Sequence, residues 1–199
     1  MEKIAIVGCG LVGGSWSLVF ARAGFEVVLY DPSPASVEAA LGFAETAAAS
    51  LAAEDLLNGQ TVAAVLARLK PASRLAEAVR EADYIQESAP ERLEIKQGLY
   101  RELAPLAPAE AVIASSTSGL PASSFTADIP GRERCLVAHP INPPHLVPLV
   151  ELVPAPWTAP ETMARTEALM RRVGQAPIRL NREIAGFVVN RLQSAVLAE

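Results

Sequence analysis

Short apolar runs and longer stretches with helical spacing alternate along most of the chain. Residues 3–7 and 26–30 are β-branched runs of strand length, and between residues 12 and 22 apolar positions recur at helical spacing. Strand, glycine turn, helix and strand predict a βαβ unit. An Ala-rich stretch over 36–70 predicts two helices broken near Asn58-Gly59. Beyond Pro71 the rhythm resumes, with strands at 83–86 and 111–114 around a helix at 91–106. Strands at 134–138 and 147–153 flank the turn-rich Pro140-Ile141-Asn142-Pro143-Pro144, and a helix at 160–173 precedes a strand at 177–180. Strands alternating with helices predict a doubly wound α/β fold on a mostly parallel sheet.

Composition narrows the function classes. The 199 residues are 51% hydrophobic, enough for one sizeable core with a small extra segment, and the net charge of −5 disfavours nucleic acid and anionic membranes as partners. No apolar run approaches the ~20 residues of a membrane span. Cys9 and Cys135 lack metal-site spacing and do not make a disulfide framework, so no metal is expected. The N-terminal residues show no signal-peptide pattern, and a reduced, cytoplasmic location is expected.

Gly8-Cys9-Gly10-Leu11-Val12-Gly13 is a G-x-G-x-x-G run placed between the first strand and the first helix. Gly8 suits the tight turn, Gly10 admits the backbone to a pyrophosphate, and Gly13 allows close helix–strand packing; the helix N-terminus attracts the anion. Such a run alone also marks a plain glycine turn. Here Asp31 follows at the end of the second strand, near the offset at which a carboxylate accepts bonds from ribose hydroxyls. It would repel a 2′-phosphate, and Pro32-Ser33-Pro34 supplies no arginine to offset the repulsion. A Rossmann-type site for NAD rather than NADP, using Gly8, Gly10, Leu11, Val12, Gly13 and Asp31, is the expectation.

Two further residues ask for a chemical explanation. His139 lies where the apolar run Cys135-Leu136-Val137-Ala138 meets a turn, and Glu151 interrupts Leu149-Val150-Leu152-Val153. A carboxylate inside an apolar strand demands a partner. If the two strands form a hairpin centred on residue 145, His139 faces Glu151 with β-carbons about 4.5–5.5 Å apart. That arrangement fixes the imidazole tautomer and stabilises its protonated form, as a general base requires. The plainer reading of Glu151 is a solvated edge-strand charge, and His145 reads as an ordinary turn residue.

Taken in order, Ser115-Ser116-Thr117-Ser118-Gly119-Leu120, His139-Pro140-Ile141-Asn142-Pro143, Glu151 and Gly186-Phe187-Val188-Val189-Asn190-Arg191 closely resemble the L-3-hydroxyacyl-CoA dehydrogenase family. His139 to Pro144 with Pro148 to Pro154 is most similar to its lambda-crystallin and L-gulonate 3-dehydrogenase branch. The resemblance covers essentially the whole chain. It implies an oxidoreductase of fatty acid or related metabolism, with His139 as acid–base and Glu151 orienting it. Ser118 and Asn190 would hold the substrate oxygen, Asn142 would line the substrate site, and Glu91 with Lys96 would contact the nicotinamide half of the cofactor. The substrate would be a 3-hydroxyacyl-CoA or a free 3-hydroxy acid.

The resemblance also implies a division of the chain. Residues 1–184 would be the NAD-binding domain, and 185–199 the first helix of a C-terminal helical domain that closes the cleft and carries a homodimer interface. That helix would present Phe187, Val188, Leu192 and Val196 to the rest of that domain or a second subunit. Gly14 stands where the crystallin branch often has a larger residue. The competing class is a non-catalytic NAD-binding or structural protein of crystallin type. A dehydrogenase drawing a lysine acid–base from the later half is excluded, since no lysine follows Lys96.

Overall fold

The computed structural model describes residues 3–198. Eight strands form one sheet in the order β3-β2-β1-β4-β5-β6-β7-β8. They are β1 Lys3–Val7, β2 Glu26–Tyr30, β3 Leu69–Pro71, β4 Tyr84–Glu87, β5 Val112–Ser115, β6 Cys135–Pro140, β7 Leu149–Pro154 and β8 Ala176–Arg179. All neighbours pair in parallel except β6 and β7, so β7 and β8 run against the rest. The helices are α1 Leu11–Arg22, α2 Pro34–Ala53, α3 Val62–Leu66, α4 Leu75–Val79, α5 Leu93–Leu106, α6 Ser123–Thr126, α7 Pro160–Arg172 and α8 Val189–Leu197.

The central strands are apolar at successive positions because both faces of the sheet are covered. Ile4 and Ile6 of β1 join Val27, Leu29 and Tyr84 under α1, α2 and α7, where Trp16, Phe20 and Met170 are buried. The intervening Ala5 and Val7 join Ile85, Ile113 and Val137 on the other face, under Tyr100 and Leu103 of α5 and Phe125 of α6. This alternation with period two fixes the strand register.

The predicted rhythm is present, with one element missed in the Ala-rich stretch. β3 occupies Leu69–Pro71, where a helix was expected to run to Lys70. It is a three-residue edge strand, the position at which a strand tolerates proline. α4 and α6 are five and four residues long, too short to impose a periodicity on the sequence. Phe187 departs further from expectation. It precedes α8 and is fully buried within this fold, whereas Leu192, Val196 and Leu197 of α8 are exposed.

Among the described residues no helix is long and apolar enough to cross a membrane, and no group of three or more His, Cys, Asp or Glu is placed to hold a metal ion.

Candidate active site

β1 and β4 are neighbours in the sheet although their helices lie on opposite faces, so a crevice opens beyond their carboxyl ends. The glycine run sits there. Gly8 has φ +97, and a β-carbon on it would lie 2.6 Å from the Ser88 carbonyl carbon that follows β4. A β-carbon on Gly13 would lie 1.9 Å from the Gly8 carbonyl oxygen, so only glycine lets α1 pack this close to β1. Gly10 is different: a β-carbon there meets nothing within 4 Å, leaving open space before the first turn of α1. That helix begins at a glycine with no side-chain cap and has no acidic residue in its first turn. Its unpartnered N–H groups and positive end suit a pyrophosphate. Gly14 brings α1 against α2, with its β-carbon position 3.4 Å from both Ala40 and Phe43, about van der Waals contact.

Asp31 directly follows β2, beside this turn. One carboxylate oxygen accepts the Cys9 N–H at 2.9 Å and the other accepts the Ser33 N–H at 2.9 Å. A carboxylate offers about four lone-pair sites, so two remain for ribose hydroxyls. Burial pushes the Cys9 thiol up to about 12, leaving it an inert packing group within the fingerprint.

His139 and Glu151 are register partners across the antiparallel β6–β7 pair, as the hairpin reading predicts. The imidazole Nδ1 lies 2.8 Å from a Glu151 carboxylate oxygen, and Glu151 is fully buried. An ionised carboxylate only accepts, so in a neutral imidazole this contact puts the proton on Nδ1 and the lone pair on Nε2. The other Glu151 oxygen accepts the N–H groups of Val188 at 2.7 Å and Val189 at 3.0 Å.

His139, Asn142 and Ser118 line one cavity of about 190 Å³ together with Val12, Ser88, Ala89, Glu91, Ser116 and Pro140. The fingerprint helix and the histidine thus share one space. Asn190 reaches the site indirectly, its side-chain amide donating to the Ser118 carbonyl at 2.7 Å.

The expected Glu91–Lys96 pair divides. Lys96 is buried, with its ammonium 2.8 and 2.9 Å from the two oxygens of Glu87 and 3.3 Å from the Ser115 hydroxyl. It does not line the cavity. Glu91 does, 3.9 Å from the Lys96 ammonium, and its Oε1 accepts the Thr117 hydroxyl at 2.5 Å and the Ser118 and Gly119 N–H groups at 3.1 and 3.0 Å. Glu91 therefore holds the turn that carries Ser118.

Other residues in and behind the cavity carried no signal of their own in the sequence. Gln86 accepts from the Tyr84 hydroxyl at 2.7 Å and donates to the Ser116 hydroxyl at 2.7 Å, which in turn lies 2.9 Å from that of Ser88. His145 does lie in the turn, but it is buried. Its N–H donates to the Ser15 hydroxyl at 3.2 Å, and that hydroxyl lies 2.6 Å from Nδ1, tying the turn after β6 to α1.

Residues 3–184 match the family described as 3-hydroxyacyl-CoA dehydrogenase, NAD binding domain. The chain is 48% identical to a lambda-crystallin homolog of Bos taurus over 98% of its own length and 61% of the relative's. It is 39% identical to an L-carnitine dehydrogenase of Streptomyces griseus, over 100% of this chain and 58% of that one. The crystal structure of 3-hydroxybutyryl-CoA dehydrogenase from Escherichia coli K12 superposes with a TM-score of 0.91 at 31% identity, covering 96% of this chain and 40% of that one. The chain thus spans about three-fifths of the length of the curated relatives it matches. It belongs to the 3-hydroxyacyl-CoA dehydrogenase family and carries that family's NAD-binding domain.

Proposed function

We propose that the protein oxidises the 3-hydroxyl of an L-3-hydroxy acid with NAD, His139 serving as acid–base. The observation that carries this reading is the bond from His139 Nδ1 to buried Glu151, on a histidine that shares a cavity with Val12 of the fingerprint. NAD, held by the glycine turn and Asp31, would supply the hydride acceptor for the carbinol carbon. Neutral His139 accepts the hydroxyl proton through Nε2, and Glu151 stabilises the imidazolium that forms. Ser118 donates a hydrogen bond to the substrate oxygen as charge develops on it. Asn190 has one amide hydrogen on the Ser118 carbonyl and a second free for the same oxygen. Asn142 lines the substrate side of the cavity.

A free acid, of the L-gulonate or L-3-hydroxybutyrate kind, fits the charges better than a CoA thioester. The nucleotide of a thioester needs basic side chains for its phosphates. No basic residue occurs between Arg22 and Arg68, a span that includes α2 and α3 beside the fingerprint. Arg22 donates to the His145 carbonyl, and Arg68 to the carbonyls of Ala21 and Ala64. Lys70 pairs in register with Val28, which packs on the sheet face opposite α2. A single carboxylate asks for far less, one arginine or a few N–H donors.

We place the start of a helical domain at residues 185–199, and assign the homodimer interface to that domain. Leu192, Val196 and Leu197 are 62%, 76% and 77% exposed, an apolar stripe suited to burial against further chain. Turnover of L-gulonate, L-3-hydroxybutyrate and L-3-hydroxybutyryl-CoA by the complete gene product under NAD tests the substrate class. Free acids are expected to win on kcat/KM, and a preference for the thioester would overturn that part of the reading.

A further inference from the structure

The segment leading into α8 reads Ile184-Ala185-Gly186-Phe187-Val188-Val189-Asn190. Gly186 has φ 72 and Phe187 has φ 49, two left-handed residues in succession. Glycine adopts that backbone freely, but a phenylalanine does so only at a cost, and such strain persists where the surroundings over-determine it. The surroundings here are the catalytic residues. The Phe187 ring is fully buried, its centroid 5.4 Å from that of the His139 imidazole with the planes at 54°. The next two residues, Val188 and Val189, donate their N–H groups to the Glu151 oxygen that His139 does not use. Asn190 then bonds the Ser118 carbonyl. Four consecutive residues therefore touch His139, Glu151 and Ser118. The left-handed turn lets the ring and the two following N–H groups face the same dyad.

We propose that Phe187 is a positioning residue for the acid–base. Its ring packs at a tilt against the His139 imidazole, keeping Nδ1 on Glu151 while Nε2 stays available to substrate. Through the Val188 and Val189 N–H groups, the placement of α8 is transmitted to the same carboxylate. The proposal rests on reading His139 as the acid–base. A phenylalanine that merely filled space would affect stability alone. A positioning residue must affect turnover and its pH dependence while sparing the cofactor, because the fingerprint and Asp31 lie in other elements of the fold.

The test uses Phe187→Leu and Phe187→Met in the complete gene product; both keep an apolar side chain and remove the flat ring. We expect NAD affinity within about twofold of the parent, kcat reduced by about tenfold or more, and a displaced acid limb of the kcat–pH profile. NMR of the unsubstituted protein provides a readout that needs no variant to fold. The carbon-bound protons of the His139 imidazole should show a ring-current shift, and its nitrogen shifts should report a single tautomer protonated at Nδ1. In the variants the ring-current shift should vanish and the tautomers mix. Unchanged kcat and pH profile in a folded variant would overturn the proposal, as would the absence of the ring-current shift in the parent. His139→Gln, assayed alongside, separates the two readings: if it retained turnover the acid–base assignment would fail, while the NMR would still report whether Phe187 orients the ring.

Discussion

Glu151→Gln separates orientation of the histidine from support of the fold. Glu151 is fully buried, and its two oxygens accept three N–H bonds, from His139 Nδ1 at 2.8 Å, Val188 at 2.7 Å and Val189 at 3.0 Å. Glutamine has one oxygen and one amino group for the same space. If its amino group faced Val188 and Val189, two backbone donors would lose their acceptor, each costing about 1–3 kcal/mol when buried. The favoured arrangement keeps the oxygen on the backbone and turns the amino group to His139. Nδ1 must then accept, so the imidazole proton moves to Nε2, the nitrogen that the proposed mechanism uses as base. Every contact is satisfied and the catalytic tautomer is lost. Exchanging charge-assisted for neutral bonds costs about 1 kcal/mol apiece, or about 3 kcal/mol of stability before relaxation. Loss of a general base costs on the order of 10²–10⁴ in rate, about 3–5 kcal/mol of barrier. The variant should therefore fold, bind NAD and turn over poorly. Steady-state kinetics, calorimetry of NAD binding and urea unfolding on the complete gene product check all three. A folded variant with kcat within about threefold of the parent would refute the tautomer argument.

His139→Gln should lower kcat on the order of 10²–10⁴-fold with NAD affinity nearly unchanged, read by the same kinetics and calorimetry. Asp31→Ala should narrow the preference for NAD over NADP, and equal affinities for the two in the unsubstituted protein would contradict the assignment. Burial, with a smaller contribution from the charge of Arg22, holds His145 below its usual value of 6.5. The unfolded chain then takes up this proton first as the medium is acidified, so stability should fall as pH drops through about 6.5 towards the lower folded value. His145→Gln should flatten that part of the melting temperature–pH curve, and an unaltered slope would place the acid sensitivity elsewhere.

The parts of this fold that were legible in the sequence are those where one local rule dominates. Ile4, Ile6, Val27 and Leu29 read as strands because both faces of the sheet are covered, and β3 did not because Leu69-Lys70-Pro71 has neither length nor alternation. The His139–Glu151 register was legible because a carboxylate inside an apolar strand must have a partner and a hairpin leaves few choices. The same rule applies to Glu87, which ends the buried strand β4, and it points to a cation such as Lys96 nine residues later. The resemblance assigned Lys96 and Glu91 to the nicotinamide half without using that signal, and the ammonium lies within 4 Å of both Glu87 and Glu91. The bonds from Glu91 to the 117–119 turn had no such signal, since they depend on how α5 and β5 sit in space. Phe187 read as part of an outward-facing helix stripe because a left-handed backbone turn leaves no mark on hydrophobic periodicity.

The carboxylates around His139 are each held by hydrogen-bond donors or a cation. Glu87 is neutralised by Lys96 in a fully buried pair, and Lys96 for the same reason is not free to act on substrate. Glu151 spends both oxygens on N–H donors, and Glu91 spends one of its two on the Ser118 turn. Ser88, Ser116 and Ser118 bring hydroxyls, which donate and accept hydrogen bonds but do not change charge near neutral pH. His139 is the cavity side chain that can pass a proton through Nε2 while Nδ1 stays on Glu151. The bond to Glu151 that leaves Nε2 facing the cavity therefore favours His139 over Glu91 for the proposed acid–base role. If His139 is the acid–base as proposed, the kcat–pH profile should carry a single limb. A second limb there would mean that another group in the complete protein enters the chemistry.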